Sequence, residues 1–286
     1  MTRERDGFSR QKVTSWGEFI RVLNRFKPEP WIYRGQSKDW PLATTLERCL
    51  KSWNINPANG AAIENQLRRE FQRRYWGADL HDVKADKLYC FALMQHHGAP
   101  TRLLDFSYSP FVAAHNAIKD GENANDAKSK HHVIWAFRGA WMDREARNIA
   151  GPQVDKRNID VLRDDATFEA IYQCNPPKKF VLHDNPFLLN ERLSIQQGIF
   201  ICPGNVNQSL LDNLKAMPGF KLKQNILKLE LHLSRQQRGE FAHNLKLMNI
   251  SAAALFPGLD GFARSLGEQV LHHEKIATRR KERIGG

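Results

Sequence analysis

Several segments of the chain place polar side chains beside turns and glycines, where a ligand can reach them. The first is Tyr33-Arg34-Gly35-Gln36, which ends a predicted strand. An arginine there can present its planar guanidinium to a phosphate, and a glycine allows a ligand to approach the backbone. Alone the tetrapeptide is a weak signal, because an arginine paired with a carboxylate under a turn gives the same pattern.

The second segment covers residues 95–110 and reads Gln-His-His-Gly-Ala-Pro-Thr-Arg-Leu-Leu-Asp-Phe-Ser-Tyr-Ser-Pro. It connects an apolar helix to a buried strand. His96 falls on the apolar stripe of that helix, so we interpret it as a core histidine, and Ser109 is explained as a helix cap. Arg102 and Asp105 flank two leucines, and the alternative to a ligand role for them is a buried ion pair that braces the strand.

The third segment carries Gln196 and Gln197 inside a predicted strand over residues 193–202. Consecutive residues of a strand point to opposite faces, so one amide must lie on the inner side. A ligand or a neighbouring backbone must then satisfy it. The fourth segment, residues 255–263, is predicted to be a turn capped by Asp260 that docks the last helix, and we assign it to packing.

Motifs of several enzyme classes are missing from the sequence. It has no Walker A loop, no G-x-G-x-x-G, no H-E-x-x-H, no G-x-S-x-G elbow and no H-x-E with P-C-x-x-C. These absences weigh against triphosphatases, Rossmann oxidoreductases, zinc hydrolases, α/β-hydrolases and zinc deaminases. The four cysteines are scattered and lack zinc-ligand spacing, so we expect no metal and buried thiols in a reducing compartment.

Composition indicates a folded domain with a basic surface. The 286 residues are 41% hydrophobic, enough for a sizeable core and too many for wholesale disorder. No apolar run reaches bilayer length and no secretory signal is evident, so we expect a cytoplasmic protein. Lys and Arg total 43 against 31 Asp and Glu, a net charge of +12, which favours polyanionic partners.

Two stretches concentrate the basic residues. One lies on a predicted amphipathic helix, where an ordinary solvated face is the alternative to a nucleic-acid surface. The other lies in the C-terminal tail, which can also simply fray. The residues predicted to bind nucleic acid are Arg68, Arg69, Arg73, Arg74, Arg279, Arg280 and Lys281.

Hydrophobic periodicity predicts helices and strands that interleave without strict alternation, which is typical of an α+β fold in one compact unit. The predicted helices cover residues 16–26, 63–75, 85–96, 111–118 and the region around 241–248. The predicted strands cover residues 31–35, 101–106, 133–137, 179–182, 193–202 and 226–233. In the last strand, leucines alternate with Lys228, Glu230 and His232, which predicts one solvent-facing side.

The same segments resemble a known family. Tyr33-Arg-Gly-Gln, Asp39-Trp-Pro-Leu, the His-His-Gly to Asp-Phe-Ser run, Gln196-Gln-Gly-Ile-Phe and Leu255-Phe-Pro-Gly-Leu-Asp-Gly occur in the order expected of the FRG-domain family, which is named for an aromatic-Arg-Gly signature. The resemblance implies an FRG domain over residues 1–278, with residues 1–30 as a helical lead-in and 279–286 as a basic tail.

FRG domains are in turn similar to ADP-ribosyltransferases, which implies a split mixed β-sheet flanked by helices, NAD as substrate and no metal. Arg34 and Gly35 match the first strand element of that superfamily, and Ser107-Tyr108-Ser109 matches its second. Residues 196–200 resemble the third, but amides stand where a carboxylate is expected. We consider Asp105, Glu191 and Glu230 as sources of the missing charge.

The resemblance implies a set of site residues. The candidate catalytic residues are Arg34, Ser107, Gln196 and Gln197. The candidate NAD-binding residues are Tyr33, Arg34, Gly35, Gln36, Thr101, Arg102, Asp105, Phe106 and Tyr108. Arg34 would hold a phosphate, the Gly35 backbone would bond the carboxamide, and an aromatic ring would stack on the nicotinamide.

The leading hypothesis is an NAD-dependent ADP-ribosyltransferase that modifies a macromolecule, with nucleic acid, and RNA in particular, favoured by the positive charge. The family resemblance implies a bacterial toxin of a toxin–antitoxin or phage-defence system, with an antitoxin or inhibitor protein as partner. The alternatives are an NAD glycohydrolase and a non-catalytic nucleic-acid-binding module. A weaker one is a metal-independent ribonuclease that uses His96 or His97 with Arg102.

Overall fold

In the computed structural model of the chain, a mixed seven-stranded sheet organises an α+β fold with helices on both faces. The structure describes residues 8–26, 30–119, 131–154, 165–184, 191–259 and 261–267. The predicted cap Asp260, the tail residues Arg279, Arg280 and Lys281, and parts of the predicted N-terminal lead-in lie outside these ranges.

The strands follow the order β1-β7-β4-β2-β3-β6-β5 across the sheet. β1 pairs with β7 in parallel, and every other neighbouring pair is antiparallel. The strands are β1 (Ser9–Val13), β2 (Trp31–Gln36), β3 (Leu104–Ser107), β4 (His132–Arg138), β5 (Val181–Asp184), β6 (Gly198–Pro203) and β7 (Ile226–Leu231).

Most helices begin at a side chain that accepts a backbone N–H, as the sequence predicts for Ser109, which accepts from Val112 and is followed by Pro110. The α-helices are α1 (Trp16–Leu23), α2 (Thr45–Ser52), α3 (Gly60–Arg74), α4 (Leu80–Ala85), α5 (Lys87–His96), α6 (Pro110–Ile118), α7 (Gly139–Ala150), α8 (Asp165–Tyr172), α9 (Glu191–Ile195), α10 (Leu210–Lys215), α11 (Arg235–Leu247) and α12 (Ala252–Leu255). Short 3₁₀ turns form at Pro57–Asn59 and Pro152–Val154, and residues 261–267 are helical. None of the helices within these ranges has both the length and the apolar character needed to cross a bilayer.

The two faces of the sheet carry separate hydrophobic clusters. Along β4, Val133, Trp135 and Phe137 belong to one cluster, and Ile134 and Ala136 belong to the other. The first cluster includes residues of α5, α7 and α8, and the second includes residues of α1, α6 and α11. A strand covered on both faces is apolar throughout, which is why β4 reads as a continuous hydrophobic run.

The prediction of a solvent-facing side on β7 is wrong at Lys228. Its side chain is only 2% exposed, and its ammonium lies 2.6 Å from Asp39 Oδ1 and 5.3 Å from the centre of the Trp135 ring. Asp39 and the Trp135 ring therefore lie against the Lys228 side chain in place of solvent. Burial of a lysine depends on such a partner, and the alternation of side chains along a single strand gives no information about it.

The junction between β2 and β3 is the weakest in the sheet. β2 shares six residue pairs with β4, and β3 shares four with β6, but β2 and β3 share a single pair, Tyr33 with Ser107. The sheet is therefore one continuous structure whose two halves meet at one position. The strands part on the side where β2 continues to Arg34.

Gly35 lies where α6 crosses β2. A Cβ at this position would lie 1.8 Å from the carbonyl oxygen of Ala113 and 2.7 Å from the amide nitrogen of Ala117. From the sequence alone, this glycine is predicted to let a ligand approach the backbone. The structure gives a different reason, because the helix backbone fills the space that a side chain would need.

Gly35→Ala should therefore lower the free energy of unfolding by about 1–3 kcal/mol, because the added methyl group must push α6 away from the strand. Urea unfolding followed by circular dichroism measures this difference. Gly17→Ala in α1 is the matched control, since a Cβ there meets nothing within 4 Å, and its stability should be unchanged or slightly higher. Wild-type stability of Gly35→Ala would contradict the contact.

Candidate functional site

A pocket with a volume of about 690 Å³ opens where β2 and β3 part. This volume is within the range of small-molecule and cofactor sites. Its walls come from β2, β3 and β6 of the sheet and from α2, α5, α6 and α9. The predicted site residues among its lining are Tyr33, Arg34, Gly35, Gln36, Asp105, Phe106, Ser107 and Gln196. Three segments that are distant in sequence therefore meet at one cavity.

Arg34 bridges the gap between the parted strands. Its Nη1 donates to the carbonyl oxygen of Asp105 at 2.7 Å, and its buried Nε has no hydrogen-bond partner among the residues that the structure describes. Burial lowers the pKa of the guanidinium, Arg48 acts in the same direction, and Asp105 opposes them. An arginine stays charged under these conditions. A buried charged donor without a partner suits an anionic ligand.

Asp105 is held by a short chain of side chains. Its Oδ1 accepts from Gln95 Nε2 at 2.7 Å, and the Oε1 of Gln95 accepts from the hydroxyl of Thr101. Thr101 is fully buried and is not part of the pocket lining. Thr101 is therefore not placed to make the direct cofactor contact that the sequence predicted. Its hydroxyl instead fixes the orientation of Gln95.

Ser107 connects β3 to the segment that carries the glutamines. Its hydroxyl donates to the carbonyl oxygen of Gln196 at 2.7 Å and accepts from the amide of Ser109 at 2.9 Å. The side chain of Gln196 donates to the carbonyl oxygen of Leu255 at 2.9 Å. Both side chains are thus engaged in holding three chain segments together at the edge of the pocket.

The predicted strand over residues 193–202 is wrong in its first half. Residues Glu191–Ile195 form α9, Gln196 and Gln197 form a turn, and β6 begins at Gly198. The two amides therefore do not lie on opposite faces of a strand. Gln197 is exposed, has a φ of 47°, and is absent from the pocket lining. A Cβ at Gly198 would lie 2.6 Å from Leu193, so α9 can fold back onto the start of β6.

The other residues of the aromatic-Arg-Gly segment are largely structural. Tyr33 is buried next to Phe26, with ring centroids 6.0 Å apart, and burial raises the pKa of its phenol. Gln36 is buried and its Oε1 accepts from Trp135 Nε1 at 2.7 Å. Tyr108, which was predicted to stack on a ligand, is 38% exposed and is not among the lining residues.

Arg102 lies outside the pocket lining and is completely buried. Its Nε donates to Glu64 Oε1 at 2.8 Å, and its guanidinium lies 5.5 Å from the ring centre of Phe168. Burial favours the neutral form of Arg102, but the charge and hydrogen bonds of Glu64 overcome this and raise the pKa. Arg102 therefore forms a buried ion pair, as the alternative to a ligand role predicts, but its partner is Glu64 rather than Asp105. This position excludes direct contact with a ligand in the pocket.

The lining carries more positive than negative charge. Its described residues include five cations and two carboxylates. The cations are Arg34, Arg48, Lys51, Lys119 and Arg192, and the carboxylates are Glu47 and Asp105. Burial raises the pKa of Glu47, whose carboxylate accepts from the amide of Leu210 at 3.0 Å. Such a surplus of positive charge favours phosphate-containing ligands.

His96 also lines the pocket. It is exposed on the last turn of α5 rather than buried in the core, so the interpretation as a core histidine is wrong. Partial burial lowers its pKa, and the neighbouring His97 and Arg192 act in the same direction. The ribonuclease alternative requires Arg102 to lie beside His96 or His97. Because Arg102 is buried away from this lining, the structure does not bring these residues together.

Trp40 is an aromatic residue of the site that sequence reasoning missed. It lines the pocket and is 50% exposed, so its indole offers a flat surface for a base or nicotinamide ring. Arg48, Lys51 and Arg192 were missed as well. The signal for Trp40 was the Asp39-Trp-Pro-Leu match, and the signal for the two α2 cations was their i, i+3 spacing.

The basic helix α3 lies outside the pocket. Arg73 and Arg74 both pair with Glu70, at 3.0 and 2.5 Å, and each of the two arginines is 75% exposed. Arg68 donates to Gln72 at 3.1 Å, and Arg69 is exposed. The predicted nucleic-acid residues of this helix thus form a solvated surface that is partly neutralised by one carboxylate.

Together the fold and the site define an α+β protein with a cationic pocket at a sheet junction. Residues 29–126 match the family model of the FRG domain, which supports the resemblance seen in the sequence. The match contains β2, α2, α5, β3 and α6, which form most of the pocket wall. The wall formed by α9 and β6 lies outside the matched residues. Searches of curated proteins and of solved structures found no significant match.

The Arg102–Glu64 pair yields a stability prediction. Glu64→Gln should lower the free energy of unfolding by about 3 kcal/mol, because it leaves a buried guanidinium without its counter-charge. Glu70→Gln on the same helix should change stability little, because Glu70 pairs with exposed arginines. Chemical denaturation of both variants measures the contrast. Equal stability of the two variants would show that the buried pair is not a stabilising contact.

Proposed function

We propose that this protein is an NAD-dependent ADP-ribosyltransferase that modifies a macromolecule, with RNA as the favoured acceptor. The observation that carries the proposal is the pocket at the β2–β3 junction, where the unpartnered Nε of Arg34 lies in a lining with more cations than carboxylates. The proposal joins this geometry to the distant resemblance between FRG domains and ADP-ribosyltransferases.

The cations of the pocket suit a pyrophosphate. Arg34 and Arg48 are each anchored to a backbone carbonyl, of Asp105 at 2.7 Å and of Ala43 at 2.6 Å. Anchored guanidinium groups lose little side-chain entropy when they bind phosphate oxygens. Lys51 is exposed on the same wall. In this assignment the two arginines hold the phosphates and Lys51 adds charge at the entrance.

The reaction needs negative charge next to the ribose. When the bond between C1′ of the ribose and the nicotinamide nitrogen breaks, nicotinamide leaves with the electron pair as a neutral molecule. Positive charge then develops at C1′, as in glycoside hydrolysis. No proton donor is required for the leaving group. The acceptor's oxygen or nitrogen forms the new bond to C1′ and releases its proton to solvent.

Asp105 is our candidate for the stabilising carboxylate. Of the three carboxylates considered in the sequence analysis, Asp105 belongs to the pocket lining, whereas Glu191 and Glu230 do not. Its orientation is fixed by Gln95, as expected of a group that acts through preorganised electrostatics. Glu47, the other lining carboxylate, is committed to a backbone amide. Trp40 is assigned to stacking on one of the two rings of NAD.

The β2–β3 junction supports the comparison with ADP-ribosyltransferases. The strands of this chain form one sheet, but its halves share only the Tyr33–Ser107 pair. We take this opening as support for the split sheet that the resemblance implies, although the sheet itself is continuous. The segment expected to carry the catalytic glutamate has Gln196 and Gln197 in a turn instead, so the negative charge must come from a different strand.

The acceptor is assigned from charge. The net charge of +12 and the exposed Arg69, Arg73 and Arg74 on α3 favour a nucleic-acid backbone. The family-level setting is a bacterial toxin or phage-defence protein, restrained by an antitoxin or inhibitor.

The test uses NAD labelled separately on adenine and on nicotinamide, incubated with the protein and with RNA, DNA or a cell lysate. Transfer of the adenine label to a macromolecule with release of nicotinamide supports the proposal. Free ADP-ribose as the sole product identifies a glycohydrolase. Intact NAD together with salt-sensitive retention of RNA identifies a non-catalytic binding module and refutes the proposal.

Asp105→Asn should reduce the rate of nicotinamide release by about 10²–10³-fold, because it removes the negative charge and keeps the acceptor oxygen for Gln95. Glu191→Gln is the control, since its carboxylate is exposed and lies outside the pocket lining, and it should retain wild-type turnover. Single-turnover release of labelled nicotinamide is the measurement. Full activity in Asp105→Asn, or its loss in Glu191→Gln, would exclude the assignment of Asp105.

Mutations in the pocket and on helix α3 should affect different ligands. Lys51→Met should weaken NAD binding several-fold and leave RNA affinity nearly unchanged, because Lys51 belongs to the pocket lining. Arg73→Met should weaken RNA binding and reduce its salt dependence, with NAD affinity unchanged. Equilibrium binding of each ligand at two salt concentrations measures both effects. Equal losses of both ligands in both variants would contradict separate roles.

A further inference from the structure

A second cluster of polar side chains lies at the end of the β4–β7 ladder. Continuing the register of that ladder, in which His132 pairs with Leu231, brings His131 opposite His232. The two imidazole rings stack, with centroids 4.6 Å apart and an angle of 16° between their planes. Glu230 lies two residues before His232 and therefore on the same face of the chain. The members of this cluster come from two segments that are distant in sequence, so no sequence motif contains all three.

We propose that His131, Glu230 and His232 form a binding site for a divalent transition metal ion of the zinc class. Their ligand atoms all lie within 4.8 Å of one another, and all three residues are partly exposed. Two imidazole nitrogens and one carboxylate oxygen are a set that zinc and its neighbours accept. The site departs from the expectation, drawn from the sequence, that the protein holds no metal.

The geometry needs a small adjustment. Ligand atoms in a tetrahedral zinc site lie about 3.4 Å apart, as follows from metal–ligand bonds of about 2.1 Å. Partly exposed side chains can close the remaining distance by rotation about χ angles. Water supplies the fourth position, which leaves the ion open to a further ligand.

Two cations lie near Glu230, and a metal ion must compete with them for its carboxylate. Arg10 Nη1 lies 3.2 Å from Glu230 Oε1, and Arg10 is a partly exposed partner at the sheet edge. Lys228 lies 3.9 Å from the same oxygen but only 2.6 Å from Asp39, so its charge is already compensated by Asp39. Binding of the ion therefore displaces Arg10 from Glu230, and the ion must also tolerate the positive charge of Lys12, which acts on His232.

An outer carboxylate is already present. His131 Nε2 lies 3.3 Å from Asp39 Oδ2, and a carboxylate on a ring nitrogen orients a metal-bound imidazole and increases its basicity. Asp39 directly precedes Trp40 at the pocket. Occupancy of the metal site should thus fix the segment that carries Trp40. The metal site itself lies outside the pocket lining and does not depend on the proposed transferase activity.

The test is a titration of the chelator-treated full chain with Co²⁺, followed by visible absorption and by competition with Zn²⁺. We expect one saturable site per chain. His232→Ala and Glu230→Gln should each weaken binding at least about tenfold. His81→Ala is the matched control, because His81 and Asp82 form an exposed pair at 3.8 Å, and it should bind like the wild type.

His272 and His273 are adjacent histidines outside the described residues, so Co²⁺ binding by this pair must be separated from binding at the proposed site. The titration is repeated in a chain with both changed to Ala, which should retain the site. Circular dichroism and a thermal unfolding curve confirm that each variant is folded. If His232→Ala does not fold, His232→Gln is used in its place. Absence of saturable Co²⁺ binding, or equal affinity of wild type, His232→Ala or Gln, and Glu230→Gln, would overturn the proposal. Neither result bears on NAD cleavage, which the labelled-NAD assay measures separately.

Discussion

Beyond the Tyr33–Ser107 pair, β2 and β3 share no further register pair, and the side chain of Arg34 spans the gap by donating to the carbonyl oxygen of Asp105. An open ladder exposes backbone groups that need partners, and an arginine supplies both a donor and a charge. On the opposite face, α6 packs directly on Gly35, which fixes the position of β2. The pocket lies at this opening, and Asp105 is held beside it by Arg34 at its carbonyl oxygen and by Gln95 at its carboxylate.

Segments outside the matched FRG residues complete the site. Leu255 accepts from Gln196, and the guanidinium groups of Arg192 and Arg264 lie 4.8 and 5.2 Å from the ring centre of Phe256. The C-terminal part of the fold therefore positions two groups of the pocket wall. A ligand in the pocket would touch elements from both the matched and the unmatched parts of the chain.

Local signals in the sequence were sufficient for much of the fold, and the site residues taken from the family resemblance include eight that line the pocket. The Ser109 cap at the start of α6 depends on neighbouring residues alone, and it is correctly predicted. The partner of Arg102 and the burial of Lys228 depend on Glu64 and Asp39, which are distant in sequence. The turn at Gln197 was missed because α9 has only five residues, too few for a helical period. The cations Lys51 and Arg192 belong to the pocket only because separate helices converge there.

The two basic surfaces differ in a way that net charge alone does not reveal. In the pocket, Arg34 and Arg48 donate to backbone carbonyls, which fixes their orientation, while Asp105 and Glu47 balance part of their charge. On α3, Arg73 and Arg74 share Glu70 and remain mostly exposed, so they stay mobile and partly neutralised. A fixed group suits one small anion of defined shape, whereas mobile exposed charges suit a long polyanion bound through counterion release. This difference is why we assign a dinucleotide to the pocket and a nucleic-acid backbone to the helix, although both surfaces are basic.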